Sequence, residues 1–420
     1  MPFDPTTLAS DIARSGPPLF YPDPPAPVTF NFDQNLPDEA TFPLDEIVAL
    51  HQEVVRRDGG RALEYISFGW DPDRESILYL STYIELVLGN TELRQEVARW
   101  LGSRQGAAGL EADGVILTSG SVGAVGLGVN AYVEPGDAVF VEANTFPYAL
   151  RYIDMRGGAV HPVALDDDGM DVDDLERAIV EAKAAGQRPK MVYIIATFQM
   201  PTGACTSLER RRRLLELADE HDLIVLEDNV YGDLRYSGDP IPTLLSLDRA
   251  GRVLQAHSFS KVVMPGLRLG WMAGTPAAIA PLAAVRQDLG VSQWTSRAMT
   301  LYLQRGRLDA HIEEVKDHYR SKRDLVADLL REHCEPYVSF RVPDGGYFMW
   351  VNLADGVDWE KAQTYAMENG VAFRPGERFM GPDRKETGKG HFRLAFSHPK
   401  EEELTRGIVA LGDAIRRAAG

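Results

Sequence analysis

From about residue 115 onward, short β-branched runs alternate with segments of helical spacing, and no other feature narrows the fold as much. "GVILTSG" reads as a strand entering a Gly-rich turn, and "AVFVEA" as a second strand. "DVDDLERAIVEAKAAG" has helical spacing, acidic residues in its first turn and Gly186 as its stop. "KMVYIIAT" reads as a buried strand, and "SLERRRRLLELADEHD" as a helix capped by Ser207. "LIVLEDN" and "VLQAHSFS" are two further strands. Strands joined through helices run parallel, so an α/β fold with a mostly parallel sheet is expected. Ligands on such sheets gather at the carboxyl ends of the strands. The residues that end each apolar run are therefore the first place to look for chemistry.

The remainder of the chain divides around this region. Residues 1–50 read as an N-terminal arm that packs with a small domain, because they precede the alternation and carry no core of their own. Residues 51–300 make the large α/β domain, and 301–334 a connecting helix, long or broken. Residues 335–420 read as a small α+β domain: two strands about a turn in "VSFRVPDGGYFMWVNL", a helix in "WEKAQTYAMENG", a strand in "HFRLAFS" and a C-terminal helix.

Composition removes several function classes. The 420 residues include 44 Lys plus Arg against 62 Asp plus Glu, a formal net charge of −18. Nonspecific nucleic-acid or anionic-membrane binding needs basic surface, so neither partner is expected. Cys205 and Cys334 stand alone, outside any C-x-x-C pattern, so reduced thiols, no bound metal and a cytoplasmic location are expected. The proline-rich N-terminus has no apolar core of the kind a signal peptide needs, and no run is long and apolar enough to span a membrane.

Five stretches carry chemistry. Lys261 lies just past "VLQAHSFS", with Ser258 and Ser260 beside it and Arg268 after it. Two hydroxyls and a guanidinium suit a phosphate, and an amine beside a phosphate points to a Schiff base with a phosphorylated aldehyde. Asp228 ends the apolar run "LIVLED", where a carboxylate either caps a helix or turn or meets a cation such as a protonated pyridine, since it is costly unpaired. Tyr231 follows three residues on. In "TSGSVGAV", Gly120, Ser121 and Val122 open a helix after a strand and leave backbone N–H groups free for an anion. Phe146 follows a strand, where an aromatic side chain either stacks on a flat ring or belongs to the core. Arg393 sits inside the apolar strand "HFRLAFS", where a guanidinium needs an anion, either a substrate carboxylate or a structural partner.

In their order and spacing these pieces resemble the fold-type I pyridoxal-phosphate enzymes of the class I/II aminotransferase family, in the branch of aminoadipate and kynurenine aminotransferases. The motifs that carry the resemblance are "SFSK…PGLRLGW", "LEDNVYGDLRY", "FQMPTG", "PDGGYFMWVNL" and "FRLAFS", and it extends from "NFDQNLPDEATFPL" to the C-terminal helix. It implies pyridoxal 5'-phosphate as cofactor, Lys261 as the Schiff-base lysine and then the acid/base, and Arg393 on the α-carboxylate of an L-amino acid. It also implies a homodimer with shared active sites, Tyr65 reaching the partner subunit's phosphate.

Three departures from the family pattern bear on specificity. Met200 stands where an asparagine usually donates to the cofactor's phenolic oxygen, and a thioether cannot donate. Tyr231 is the remaining donor. Asn35 stands where a glycine usually admits the substrate carboxylate. Residues 66–90, with Phe68, Trp70, Tyr79 and Tyr83, form an insertion longer than the family's by roughly twenty residues, which reads either as an embellishment of the dimer interface or as a lid or wall for a large or aromatic substrate. An aminotransferase is the leading expectation. The alternative is elimination or replacement at Cβ or Cγ of an amino acid such as S-adenosylmethionine, in specialised metabolism. A ligand-sensing regulator on the same frame would carry an N-terminal winged helix-turn-helix, for which the acidic chain gives no support.

Overall fold

The computed structural model describes residues 10–14, 27–63 and 85–420. Tyr65, Phe68, Trp70, Tyr79 and Tyr83, and with them most of the expected insertion, lie outside the described residues.

The alternating region folds as one seven-stranded sheet. Its strands are β1 (Val115–Thr118), β2 (Ala138–Glu142), β3 (Ala159–Val163), β4 (Pro189–Ile194), β5 (Ile224–Asp228), β6 (Val253–Ser258) and β7 (Gly270–Ala273). The order is β1-β7-β6-β5-β4-β2-β3. All neighbours are parallel except β7, which runs antiparallel between β1 and β6. Thr118, Glu142, Asp228 and Ser258 therefore end their strands along one edge. Because β7 starts at that edge, Gly270 pairs with both Thr118 and Ser258.

Both faces of the sheet are covered, which is why the strands read as continuous apolar runs rather than alternating ones. On one face Phe140, Val192, Ile194 and Val225 pack with Leu175 and Ile179 of helix α2 (Val172–Ala184) and Leu214 and Leu217 of helix α3 (Leu208–Glu220). On the other, Val139, Met191, Leu226 and Met272 meet Ala124, Val125 and Val129 of helix α1 (Gly120–Tyr132).

Helix α4 (Arg307–His333) follows the helix Gln293–Gln304 after a break at Gly306, whose φ is 65°. It leads to a four-stranded antiparallel sheet in the order β8-β9-β11-β10, built from β8 (Val338–Phe340), β9 (Phe348–Leu353), β10 (Arg374–Pro375) and β11 (His391–Ala395). The segment after Pro27 is stitched to this part of the molecule. Phe30–Asn31 pairs in parallel with Val371–Ala372. Ala395 N donates to Phe32 O at 2.9 Å, and Ser397 Oγ to Leu36 O at 2.6 Å. The strap carries Asn35 to the carboxyl edge of the large sheet.

Candidate active site

Lys261 stands in the turn after β6. Its Nζ donates to Asn35 O at 2.5 Å and lies 5.9 Å from the ring centres of both Tyr231 and Tyr347. Tyr347 OH donates to the Lys261 carbonyl and fixes the main chain from which the side chain rises. Burial pushes the Lys261 amine down to about 7, and the nearby Arg393 cation adds to the effect. An amine tuned this way is neutral often enough at physiological pH to act as a nucleophile or base.

Asp228 ends β5 as the sequence predicts. Its Oδ2 accepts from Tyr193 OH at 3.0 Å, whereas Oδ1 is buried with no partner among the described residues. Burial raises the carboxyl to about 6, against the Tyr193 hydrogen bond. A carboxylate held with one oxygen unsatisfied is a site for a cationic donor, since an unmet buried acceptor is costly.

The edge next to it gathers groups able to donate to an anion. Gly120 opens α1 at φ 71°, and Ser119 places no side-chain cap on the helix. A Cβ on Gly120 would lie 2.9 Å from Arg268 Nη2, so only glycine lets the guanidinium come this close. Arg268 Nη2 donates to Ser119 O at 3.0 Å. Ser258 Oγ lies 2.8 Å from Ser260 Oγ. Gly270 closes the arrangement, because a Cβ there would strike Gly120 at 2.8 Å. Ser121 and Val122 occupy the first turn of α1. Hydroxyls, a guanidinium and a helix N-terminus thus converge between the ends of β1 and β6.

Arg393 comes from β11 and is 4% exposed. Nη2 donates to Asp33 O at 2.5 Å, Nη1 reaches Met200 Sδ at 3.9 Å, and Nε is buried without a partner among the described residues. The guanidinium lies 5.7 Å from the Phe348 ring centre and 5.4 Å from that of Phe379. Burial lowers it to about 10, still a cation at neutral pH. Asn35 Nδ2 donates to Tyr231 OH at 2.5 Å. Phe146 precedes the helix Pro147–Met155, half-buried, its ring 5.4 Å from that of Tyr148. Its neighbour Thr145 donates from its main chain to Phe379 O at 3.0 Å, which joins this stretch to the connection between β10 and β11.

Three buried residues escaped the sequence reading. Glu142 ends β2, and its Oε2 accepts from Ile195 N and Gln199 Nε2, each at 3.2 Å. Burial raises it to about 8. It carries the same signal as Asp228, a carboxylate closing an apolar strand. Tyr193 gives Asp228 its hydrogen bond. His257 accepts from Ser258 N at Nδ1, so Nε2 carries the proton and donates to Asp233 Oδ2 at 2.8 Å. Arg104 Nε meets Asp233 Oδ1 at 2.9 Å, and Trp271 stacks on the imidazole at 4.8 Å. An ionisable residue within an apolar strand was the available signal for His257.

The model of the family "Aminotransferase class I and II" matches residues 83–411. The chain is 35% identical to aromatic-amino-acid aminotransferase 1 of Thermococcus litoralis, over 91% of this chain and 86% of that one. Its fold matches the crystal structure of a multiple substrate aminotransferase from Thermococcus profundus with a TM-score of 0.87 and 31% identity, over 99% of both chains. It also matches Pyrococcus horikoshii kynurenine aminotransferase, solved with its pyridoxamine phosphate cofactor, with a TM-score of 0.87 and 33% identity over 99% and 98% of the chains. The chain therefore belongs to the class I and II aminotransferases, and it is a fold-type I, pyridoxal-phosphate-dependent transferase.

Proposed function

We propose that the residues gathered at the carboxyl edge carry amino-group transfer from an L-amino acid to a 2-oxo acid, with Lys261 as the catalytic amine. The observation that supports this most directly is the presence, on one edge, of Lys261, a half-buried amine near neutrality, and Asp228, a buried carboxyl with one oxygen unsatisfied among the described residues. The site fits pyridoxal phosphate. Asp228 Oδ1 would take the pyridinium, Tyr231 the phenolic oxygen, Phe146 a ring face, and Gly120, Ser121, Val122, Ser258, Ser260 and Arg268 the phosphate. When bound, the cofactor supplies an electron sink for the bond broken at Cα. Arg393 holds the α-carboxylate, and its free Nε provides the second contact of a bidentate pair. Lys261 moves the Cα proton, within reach of the substrate because the Asn35 carbonyl holds its amine.

An aromatic or apolar donor is favoured. Phe348 and Phe379 flank Arg393, and Met200 adds a soft apolar contact. Arg374 is already engaged by Asp33 at 2.5 Å, so a distal substrate carboxylate reaching it would compete with a carboxylate of the protein. The names of the Thermococcus litoralis and Pyrococcus horikoshii relatives agree with this preference. The relatives reported above are aminotransferases, so transfer is favoured over elimination or replacement. Tyr65 and the insertion belong, in this reading, to a homodimer with sites at the subunit interface.

The test is a half-reaction. Cofactor-loaded protein is offered phenylalanine, tyrosine, glutamate and 2-aminoadipate in turn, without any oxo acid. One equivalent of the matching 2-oxo acid per site, formed faster from the aromatic pair, is the expected result. Lys261→Ala should reduce the rate by at least about a thousandfold with an unchanged melting profile. Full activity in that variant overturns the assignment, and release of a Cβ substituent without oxo-acid transfer would replace it with elimination.

A further inference from the structure

We infer that Asn35 is a positioning residue that sets the direction of the Tyr231 hydroxyl proton, and thereby supplies the site with a phenolic-oxygen donor that Met200 cannot be. The inference rests on the placement of pyridoxal phosphate proposed above and deepens it.

The contact is polar in one direction only. An amide nitrogen donates and does not accept, so Asn35 Nδ2 at 2.5 Å uses a lone pair of the Tyr231 oxygen and leaves its proton unspent. That proton has no acceptor among the described residues. The ring cannot swing away to find one. It is 1% exposed, edge-on to Phe348 at 5.4 Å and 88°, and 6.0 Å from Tyr347. The hydroxyl therefore presents its proton to whatever occupies the space beside Lys261, whose Nζ is 5.9 Å from the same ring.

The rest of Asn35 keeps it in register. Its carbonyl accepts from Lys261 Nζ at 2.5 Å, a main-chain contact that survives any substitution of the side chain. Leu36 O, one residue on, accepts from Ser397 Oγ at 2.6 Å and ties the strap to the end of β11. Met200, on the other side of the site, offers a thioether that reaches Arg393 and has no proton to give. A donor on the phenolic oxygen stabilises its negative charge most when the imine with Lys261 is unprotonated. It lowers the pH at which the bound cofactor's visible absorption changes.

The test is a double-mutant cycle read by that absorption titration. Asn35→Ala, Tyr231→Phe and the double variant are loaded with pyridoxal phosphate, and the cofactor dissociation constant is measured alongside. Asn35→Ala should raise the transition by roughly half to one pH unit, and Tyr231→Phe by more. The double variant should match Tyr231→Phe alone, because Asn35 acts only through the phenol. Additive shifts, or no shift in Asn35→Ala, overturn the inference. So does a downward shift, which would mean the Asn35 amide oxygen had been accepting the tyrosine proton. Asn35→Ser, which keeps a polar side chain too short to reach the phenol, should repeat the alanine result; wild-type behaviour in it also counts against the inference. If the unaltered protein neither binds pyridoxal phosphate nor shows a titrating band, the placement of the cofactor falls instead.

Discussion

At the scale of single residues, the site depends on ionisable groups held away from water. Lys261, Asp228 and Glu142 are all shifted toward their neutral forms, and burial is the largest cause in each. For Glu142 the consequence is testable in the cofactor-free protein. Its carboxyl is raised in the folded state to about 8 from an ordinary value of 4.5. A raised pKa contributes stability that is complete below the unfolded value and is lost as the pH climbs through the folded one. Between about pH 4.5 and pH 8, the native protein should therefore lose stability relative to Glu142→Gln, whose amide keeps an acceptor for Ile195 N and Gln199 Nε2 and carries no charge. Melting temperatures of the two proteins, compared at pH 5 and pH 9, should diverge only at the higher pH. A constant gap would show that Glu142 does not titrate in this range.

At the scale of elements, the proposed anion cradle is a product of sheet order. The antiparallel strand β7 enters at the carboxyl edge two residues after Arg268, and its Gly270 lies between Thr118 and Ser258. That register presses Arg268 against Gly120. Gly120→Ala should cost about 1 kcal/mol of stability from its positive φ. The added Cβ would also displace the guanidinium from its 2.9 Å approach. Affinity for pyridoxal phosphate should fall about tenfold or more, while affinity for pyridoxal, which has no phosphate, should barely change. Equal losses for both would locate the damage elsewhere. Much of this cradle was legible beforehand. "TSGSVGAV" announced a strand, a Gly turn and a helix start, and "SFSK" announced two hydroxyls at the end of another strand. Its closure was not, because the antiparallel insertion of β7 depends on which strands become neighbours, and local periodicity does not encode that. Asn35 stood out in the sequence as an unusual side chain, but its bond to Tyr231 spans 196 positions of chain. Glu142 and His257 showed the same signals as Asp228 and Arg393, yet no nearby motif gave them a role.

At the scale of the whole molecule, three separated stretches of chain must meet for the site to exist. The large sheet brings Asp228 and Lys261, the small sheet brings Arg393, and the strap after Pro27 brings Asn35. Lys322 on α4 is the point where the last two are joined. It is 1% exposed, pairs with Asp38 on the strap and donates to Ser397 O at 2.9 Å, just past β11. Asp38 also accepts from Ala40 N at 3.0 Å and lies 2.9 Å from His318 Nε2. Removing one member of a buried ion pair leaves the other charge without its main partner, at a cost of about 3 kcal/mol. Lys322→Met keeps most of the volume and removes the charge, so its melting temperature should fall by several degrees. The effect should also reach the site, because Asn35 lies three residues before Asp38 and Arg393 four before Ser397. KM for the amino acid should rise several-fold as both residues lose their common anchor, and the cofactor's absorption titration should move upward as it does in Asn35→Ala. A lower melting temperature with unchanged KM and an unchanged titration would mean that the backbone pairing of Phe30–Asn31 with Val371–Ala372 holds the strap unaided. The buried pair would then serve stability alone.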